Sequence, residues 1–248
     1  DIIPGSSINE VYIDSVAQYE EIGAVGNEII NDTTTEIANN VEATDGYVVF
    51  NPHSYVNSGA VEVDGKWIYA ENIPAKGYKV INPTVAESKV VVTENLMEND
   101  FFRLTLDEKG TFTSIFDKRN NREVLKNGQR GNVLTAYEDY PREYDNWEMS
   151  SYYTEKHWEV DDVENVEILN EGERAGLKIT KKFKDSTIVQ SIYLYNNIDK
   201  VDFETYMDWK ESHLILKTAF PVDVNTNKAT YDIQFGSVER PTHKNTSW

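Results

Sequence analysis

Apolar residues recur at a helical spacing in the N-terminal part of the chain, between Ser6 and Ala43. They follow a period close to 3.6 residues, as on one face of an amphipathic helix, and are Ile8, Val11, Tyr12, Tyr19, Ile22, Val25, Ile29, Ile30 and Ile37. Ser7, with Glu10 three places later, forms a capping-box pattern that starts this helix. Gly23 and Gly26 each weaken it by about 1 kcal/mol relative to alanine, and "NDTTTE" is a point where it can bend or pause.

A single helix with one apolar stripe cannot bury that stripe by itself. Because monomers rarely leave several hundred Å² of contiguous apolar surface in water, we expect the helix to find a partner. The partner is either a set of helices outside this sequence or a second copy of the chain, so a homo-oligomer is one expectation.

From Asp45 onward the pattern changes to short strands. The runs "GYVVFNPHSY", "GAVEVDGKWIYA" and "GYKVINP" alternate or are rich in β-branched residues, and Asn-Pro, Asp-Gly and Lys-Gly turn signals separate them. After "TVAESK", the run "FFRLTLDEKGTFTSIFD" predicts a hairpin that turns at Lys109-Gly110. Further strands are predicted in "RAGLKITKKF", "STIVQSIYLY", "KVDFETYMDW", "LILKTAFPV" and "ATYDIQFG". Many strands with few helices between them predict a mainly β protein with an antiparallel sandwich.

Charge and composition exclude several function classes. Among 248 residues, 24 Lys and Arg stand against 43 Asp and Glu, a formal net charge of −19. Such acidity repels phosphate backbones and anionic lipid surfaces, so we expect neither nucleic acid nor membrane as a partner. The chain has no cysteine, which rules out disulfides and thiolate metal sites and favours a cytoplasmic location. No apolar run approaches the roughly 18 residues that a membrane span needs.

Histidines and paired carboxylates give little sign of a metal or catalytic centre. The histidines are His53, His157, His213 and His243. None has a second histidine or a carboxylate at a convincing metal-ligand spacing, so surface or sandwich positions are favoured for the first three. In "YDNWEM", Asp145 and Glu148 lie three residues apart on either side of Trp147, which suggests a glycosidase carboxylate pair. In so acidic a chain, a chance match is the favoured interpretation.

The last stretch, "YDIQFGSVERPTHKNTSW", differs in kind. It gathers Glu239, Arg240, His243, Asn245 and Trp248 around a proline, in what the pattern predicts to be a loop. Functional loops concentrate such residues. A polar cluster that braces a corner of the sandwich is the alternative, and the sequence leaves both open.

Several segments resemble one enzyme family. "DIIPGSS" followed by a helix, and "FGSVERPTHKNTSW" after a run of strands, resemble glycoside hydrolase family 38, the retaining α-mannosidases, in their bacterial or cytosolic form. "FNPHSY", "ENDFFRLTLDEKGTFTSIFDKRNNREVL" and "GNVLTAYEDYPREYDNWEM" also resemble family segments and occur in the family's order. The resemblance covers essentially the whole chain.

The resemblance implies a division into three parts. Residues 1–44 would form one helix of a three-helix bundle, and residues 45–88 a small β domain. Residues 89–248 would form the large antiparallel supersandwich, of the galactose-mutarotase-like kind, truncated at its C-terminal end.

The resemblance also implies what stands before the opening motif. In the family a histidine that binds the catalytic zinc precedes this aspartate, and a (β/α) barrel upstream supplies the other zinc ligands and both catalytic carboxylates. We therefore expect zinc in the full-length enzyme, but no catalytic residue, zinc site or activity in this chain alone. One family carboxylate attacks the anomeric carbon, the other protonates the leaving oxygen, and the zinc coordinates sugar hydroxyls.

Four residues are carried over as substrate-binding candidates. Asp1 matches the position that accepts hydrogen bonds from substrate hydroxyls beside the zinc. Tyr231 resembles a β-domain tyrosine that reaches back into the active site, and Arg240 and His243 would line the same mouth unless they brace a loop. The implied substrate is an α-mannoside or oligosaccharide. Two rivals stay open: an autonomous carbohydrate-binding sandwich whose tryptophans and tyrosines stack on sugars, and a scaffold that supplies no substrate contact.

Overall fold

The computed structural model describes residues 8–42, 45–82, 87–144 and 148–243. Within these ranges the chain is mainly β, with one α-helix, one short 3-10 helix (Tyr153–Glu155) and several antiparallel sheets. The elements are α1 (Asn9–Asn39), β1 (Tyr47–Asn51), β2 (Asn57–Val63), β3 (Lys66–Ile73), β4 (Gly77–Ile81), β5 (Val91–Thr93), β6 (Leu96–Glu98), β7 (Phe102–Leu106), β8 (Phe112–Asp117), β9 (Arg122–Glu123), β10 (Val133–Glu138), β11 (His157–Glu159), β12 (Asp162–Asn170), β13 (Arg174–Phe183), β14 (Ser186–Tyr195), β15 (Asp202–Asp208), β16 (Leu214–Ala219), β17 (Lys228–Ile233) and β18 (Gly236–Pro241).

Helix α1 runs without a break through both glycines and through "NDTTTE". Thr34 remains compatible with the helix because its hydroxyl donates to the carbonyl of Ile30, 2.7 Å away. Ile8 occupies the N-cap position without a side-chain capping bond, and Ser7 of the proposed capping box lies outside the described residues. No helix in the described ranges is long and apolar enough to span a membrane.

Two short antiparallel pairs, β1 with β4 and β2 with β3, follow the helix. The β2–β3 hairpin turns at Asp64 and Gly65, whose φ angles of 50° and 74° suit a tight two-residue turn of the primed type. The buried face of β3 carries Ile68, Ala70 and Ile73. These pairs are the strands that the alternating pattern predicts.

Two larger sheets enclose the main core. One has the order β5-β6-β7-β8-β9 and the other the order β12-β13-β14-β15, and every neighbouring pair in both is antiparallel. The first sheet contributes Met97, Leu104, Leu106 and Phe112 to the core, and the second contributes Ala175, Leu177, Ile179, Ile192 and Leu194. Packing between these sets is consistent with the predicted sandwich. A third sheet, of order β11-β10-β16, packs its own smaller cluster against β14 through Leu134, Ala136 and Ile188.

The hairpin predicted at Lys109-Gly110 is confirmed by the pairing of β7 with β8. The carboxylate of Asp107 accepts hydrogen bonds from the backbone N–H groups of Lys109 at 3.1 Å and Thr111 at 2.9 Å. Gly110 takes a φ of 66°, which few other residues adopt without strain. A side chain at this position would also press on Ile179 of the facing sheet.

The C-terminal stretch corrects one prediction. Residues that the pattern assigned to a loop, among them Glu239 and Arg240, form strand β18, which pairs with β17 in register. The chain reverses between Ile233 and Gly236, where Phe235 has a φ of 64°. The strand lacks the apolar alternation of a half-buried strand because both of its faces are largely exposed.

A buried arginine joins β3 to the large sheets. The guanidinium of Arg174 lies between the rings of Trp67, at 4.0 Å, and Tyr193, at 3.7 Å. The backbone of Trp67 donates to the carbonyl of Glu171 and accepts from the N–H of Glu173, both at 2.9 Å. This Arg174 joint therefore fixes the β2–β3 hairpin on the turn between β12 and β13.

Candidate functional site

Strands β17 and β18 bring two of the predicted site residues together. Tyr231 pairs with Val238, and Ala229 pairs with Arg240. Directly opposed residues share a face of an antiparallel pair, so Tyr231 and Arg240 lie on one face as diagonal neighbours, roughly 7–8 Å apart between Cα atoms. Tyr231 is 51% exposed. The phenol of Tyr231 and the guanidinium of Arg240 are therefore both accessible to a ligand that binds this face.

The opposite face of this hairpin is polar and internally paired. Lys228 and Glu239 form a salt bridge of 2.9 Å there, which leaves the Tyr231 face without a nearby acidic partner on β18. The base of the hairpin is closed by Thr242, whose N–H donates to Asn227 and whose hydroxyl donates to Thr226. Strand pairing and this closure fix the backbone positions of Tyr231 and Arg240 relative to each other.

The remaining predicted site residues divide into two groups. His243 lies directly after Thr242, two residues beyond the end of β18, so whether it faces a substrate or braces the chain stays a prediction. Asp1, Asn245 and Trp248 lie outside the described residues. Asp145 does too, and its sequence neighbour Glu148 donates its backbone N–H to Tyr144.

The chemistry that the hairpin face can perform is recognition. The hydroxyl of Tyr231 can donate and accept one hydrogen bond each with a neutral partner, and the guanidinium of Arg240 supplies up to five donors in a planar fork. Ile233 and Phe235, at the turn, add exposed apolar surface beside them. This combination suits a ligand that carries hydroxyl groups on an otherwise apolar ring.

A metal centre does not form among the described residues. Within residues 8–42, 45–82, 87–144 and 148–243, no three His, Asp or Glu side chains group in a way that could hold a metal ion. The described residues therefore do not fit the zinc that the resemblance implies. Zinc binding by the full-length enzyme stays a prediction.

The most strongly shifted lysine lies inside the sandwich and not at the hairpin. Burial lowers the pKa of Lys181 to about 8, although Asp107 and Asp161 oppose the shift. At the Arg174 joint, hydrogen bonds to Glu204, Tyr195 and Glu171 outweigh burial and raise the pKa of the guanidinium. Both side chains are buried, so neither is accessible to a substrate.

Three histidines that the sequence placed on the surface or in the sandwich each contact a tyrosine. His53 stacks on Tyr55 with ring centroids 5.1 Å apart. His157 lies 5.5 Å from the ring of Tyr137, and His213 stacks on Tyr140 at 4.4 Å. The spacing of these histidines along the chain does not predict their aromatic partners. The density of tyrosines in "YEDYPREY" and "SSYYTEKHW" was the available signal for an aromatic cluster.

Comparisons with known proteins place these features in one family. The model of the glycosyl hydrolases family 38 C-terminal domain matches residues 97–248. "Alpha-mannosidase 2C1" from Homo sapiens is 28% identical over 268 aligned positions, which cover 100% of this chain and 26% of that protein. "Alpha-mannosidase G" from Dictyostelium discoideum is 28% identical over 78% of this chain and 20% of that protein. "Alpha-mannosidase" from Saccharomyces cerevisiae is 24% identical over 100% of this chain and 23% of that protein. The chain thus spans about a quarter of the length of the curated relatives it matches.

Proposed function

Because the chain belongs to glycosyl hydrolase family 38, we propose that it is part of an α-mannosidase and contributes substrate-binding residues to it. The observation that carries the proposal is the placement of Tyr231 and Arg240 on one exposed face of the β17–β18 hairpin, inside the range that the family model matches. In this role the hairpin face donates hydrogen bonds to hydroxyl groups of a terminal α-mannosyl residue.

Three further properties are proposed for the whole enzyme, of which this chain is a part. We propose that it is zinc-dependent, that it retains the configuration at the anomeric carbon, and that it works in the cytoplasm. The absence of cysteine supports the last point. The catalytic carboxylates and the zinc ligands are proposed to lie in another part of the enzyme, so that this chain alone has no activity. The stripe on α1 supports a homo-oligomer.

Substitutions on the hairpin test the proposal in the α-mannosidase that carries this chain. Arg240→Ala removes a charge-assisted hydrogen bond worth about 1.5–3 kcal/mol, so kcat/KM for a chromogenic α-mannoside should fall roughly ten- to hundredfold. Tyr231→Phe removes a neutral bond worth about 0.5–1.5 kcal/mol and should lower kcat/KM less. Thr230→Ala, on the opposite face of β17, is the matched control and should leave kcat/KM unchanged.

His243→Ala decides between the two roles left open for that residue. A residue at the mouth of the site would lower kcat/KM at an unchanged melting temperature, whereas a brace would lower the melting temperature first. If Arg240→Ala and Tyr231→Phe both keep the kinetics of the Thr230→Ala control, the hairpin face has no part in substrate binding and the proposed role is wrong.

A further inference from the structure

Tyrosine and histidine rings gather at one end of the β11-β10-β16 sheet. Strand β10 ends where β11 and β16 begin, because both neighbours are antiparallel to it. The rings at this end form what we call the tyrosine–histidine surface: Tyr137, Tyr140, Tyr152, Tyr153, His157 and His213. It lies on a different sheet from the β17–β18 hairpin.

One half of the tyrosine–histidine surface is a stacked pair. The rings of Tyr140 and His213 have centroids 4.4 Å apart and planes inclined by 18°. The backbone holds them there, since the N–H of Asp139 donates to the carbonyl of His213 at 2.8 Å. His213 takes a φ of 56° at this point. Few non-glycine residues adopt such a conformation, and histidine is among those that do so more often.

The other half is a polar aromatic cluster. Tyr153 meets Tyr137 edge to face, with centroids 5.4 Å apart, and its hydroxyl accepts a hydrogen bond of 2.7 Å from Nζ of Lys217. Lys156 pairs with Glu138 at the rim. The charges beside the rings are therefore of both signs, which favours a neutral ligand over an anion or a cation.

Four of these rings, those of Tyr140, Tyr152, His157 and His213, are exposed to solvent, and the other two are half-buried. Tyr140 is 57% exposed and Tyr152 is 44% exposed, and the hydroxyl of Tyr152 lies 3.5 Å from the carbonyl of Tyr140. Flat rings with polar edges match one class of neutral ligand well. A pyranose ring has a face of C–H groups that covers an aromatic ring, and hydroxyl groups around its edge that bond to phenol, imidazole and ammonium groups.

We propose that the tyrosine–histidine surface binds an α-mannosyl unit of an oligosaccharide, with the sugar ring on the exposed Tyr140–His213 stack. The pyranose ligand follows from the rings and their polar edges. The choice of mannose rests on the proposed function. A surface of this kind would hold a sugar unit of a branched substrate other than the one being cleaved.

Titration of the 248-residue chain by heteronuclear NMR tests the proposal, with α-linked mannotriose as the probe. We expect shifts of the resonances around Tyr140 and His213 that saturate with a Kd on the order of 1 mM. Tyr140→Ala and His213→Ala should each weaken binding about fivefold, because each removes one aromatic contact with the sugar. Tyr140→Phe keeps the ring and should bind within about twofold of the wild type. Tyr206→Ala removes a 69% exposed tyrosine from β15 and is the matched control.

Four outcomes overturn the proposal: no shift in a folded chain, equal shifts with maltotriose, binding that survives both alanine variants, and shifts of the same resonances with protein concentration alone. The last would assign the surface to a second copy of the chain. The titration does not depend on hydrolysis. Binding to the surface combined with full activity of the Tyr231→Phe and Arg240→Ala variants would refute the proposed role of the hairpin and leave this inference standing.

Discussion

The ammonium group of Lys181 lies at the end of the main core, on the strand face that carries Leu177 and Ile179. The residue is 2% exposed, and its Nζ has no hydrogen-bond partner among the described residues. The carboxylates of Asp107 and Asp161 attract the charge without removing the effect of burial. A charge held in this way stabilises a fold less than an apolar side chain of similar size would.

Lys181→Met should therefore stabilise the protein at pH 7, by about 1–4 kcal/mol in the free energy of unfolding. The folded pKa of about 8 lies below the ordinary value of 10.5, so the unfolded state binds more protons between pH 8 and 10.5. The contribution of Lys181 to stability consequently rises with pH across that window. Urea unfolding at pH 7 and pH 10 should show a stability gap between variant and wild type that narrows at pH 10.

Lys182→Met is the control for this measurement. Its side chain is 43% exposed and lies on the other face of β13, so the substitution should change stability little at either pH. If Lys181→Met destabilises the protein at pH 7, the charged ammonium group does not lower stability, and the predicted cost of its burial is wrong.

Residue type alone predicts poorly which residues bind a substrate and which charged residues are buried. Arg240 became a candidate because the motif "FGSVERPTHKNTSW" contains it, and Tyr231 because "ATYDIQFG" resembles a family segment. Their common face follows once β18 is known to be a strand, and their role in substrate binding stays a prediction. The burial of Lys181 could not be predicted, because lysines are almost always exposed, and only the pairing of β13 shows that it continues the buried face. The role of Asp1 stays a prediction.

At the scale of elements, strands β13 and β14 carry enough signal to be predicted from their sequence. Both are long, contain β-branched residues and face the core, and the structure gives them the bounds of "RAGLKITKKF" and "STIVQSIYLY". Strand β18 was not predicted from the sequence because its residues are mostly polar and it ends in a proline. It is a strand because it pairs with β17, and the local sequence pattern does not predict a pairing partner.

Gly176 sits at a close approach between β13 and β14. A Cβ added there would lie 1.8 Å from the carbonyl oxygen of Ile192, so Gly176→Ala must push the strands apart. We expect a loss of at least about 1–3 kcal/mol in unfolding free energy, measured by denaturant melts. Gly59→Ala in β2, where nothing lies within 4 Å, should be neutral or slightly stabilising. Equal stability of the two variants would contradict the register of β13 against β14.

The Arg174 joint should not tolerate lysine. Arg174→Lys keeps the charge but loses the planar fork that pairs with Glu171 and stacks between Trp67 and Tyr193. We expect a loss of about 1–3 kcal/mol in unfolding free energy, together with faster hydrogen exchange at the amide of Trp67.

The matched control for that joint is Lys178→Ala on the same strand, whose side chain is 38% exposed. It should leave the exchange of the Trp67 amide unchanged. Unchanged exchange in Arg174→Lys would mean that the backbone bonds hold the hairpin without the stack.

At the scale of the whole molecule, we expect the exposed stripe on α1 to drive self-association. Tyr19 is 75% exposed, Ile22 65% and Ile29 60%. Covering a few hundred Å² of such surface contributes several kcal/mol at about 25 cal/mol per Å². The chain should therefore self-associate in sedimentation velocity as its concentration rises, and Ile22→Glu with Ile29→Glu should suppress this.

Asn27→Glu with Asn31→Glu is the charge-matched control, because it adds the same two charges on the opposite side of the helix. This control should associate like the wild type. A wild-type chain that stays monomeric at millimolar concentration, or a control that dissociates as much as the isoleucine variants, would contradict a role for the stripe.

The architecture was predictable only in part. Period-2 patterning predicts strands, and their number predicts a β-sandwich, which the structure bears out. It does not predict that β10 pairs with both β11 and β16, because such pairing joins residues distant in sequence and leaves no trace in local periodicity. The division at residues 44 and 88 stays a prediction.

The pairing of β10 with β16 has a consequence for how the chain folds. The β11–β15 segment separates these partners, yet each pair within β12–β15 joins strands that follow one another directly. That meander can form from local contacts, and once formed it shortens the flexible loop that must close before Thr135 meets Lys217. In refolding followed by pulsed hydrogen exchange, amides around Ile192 should gain protection before those of β16, and closure of this sheet should set the slowest folding phase.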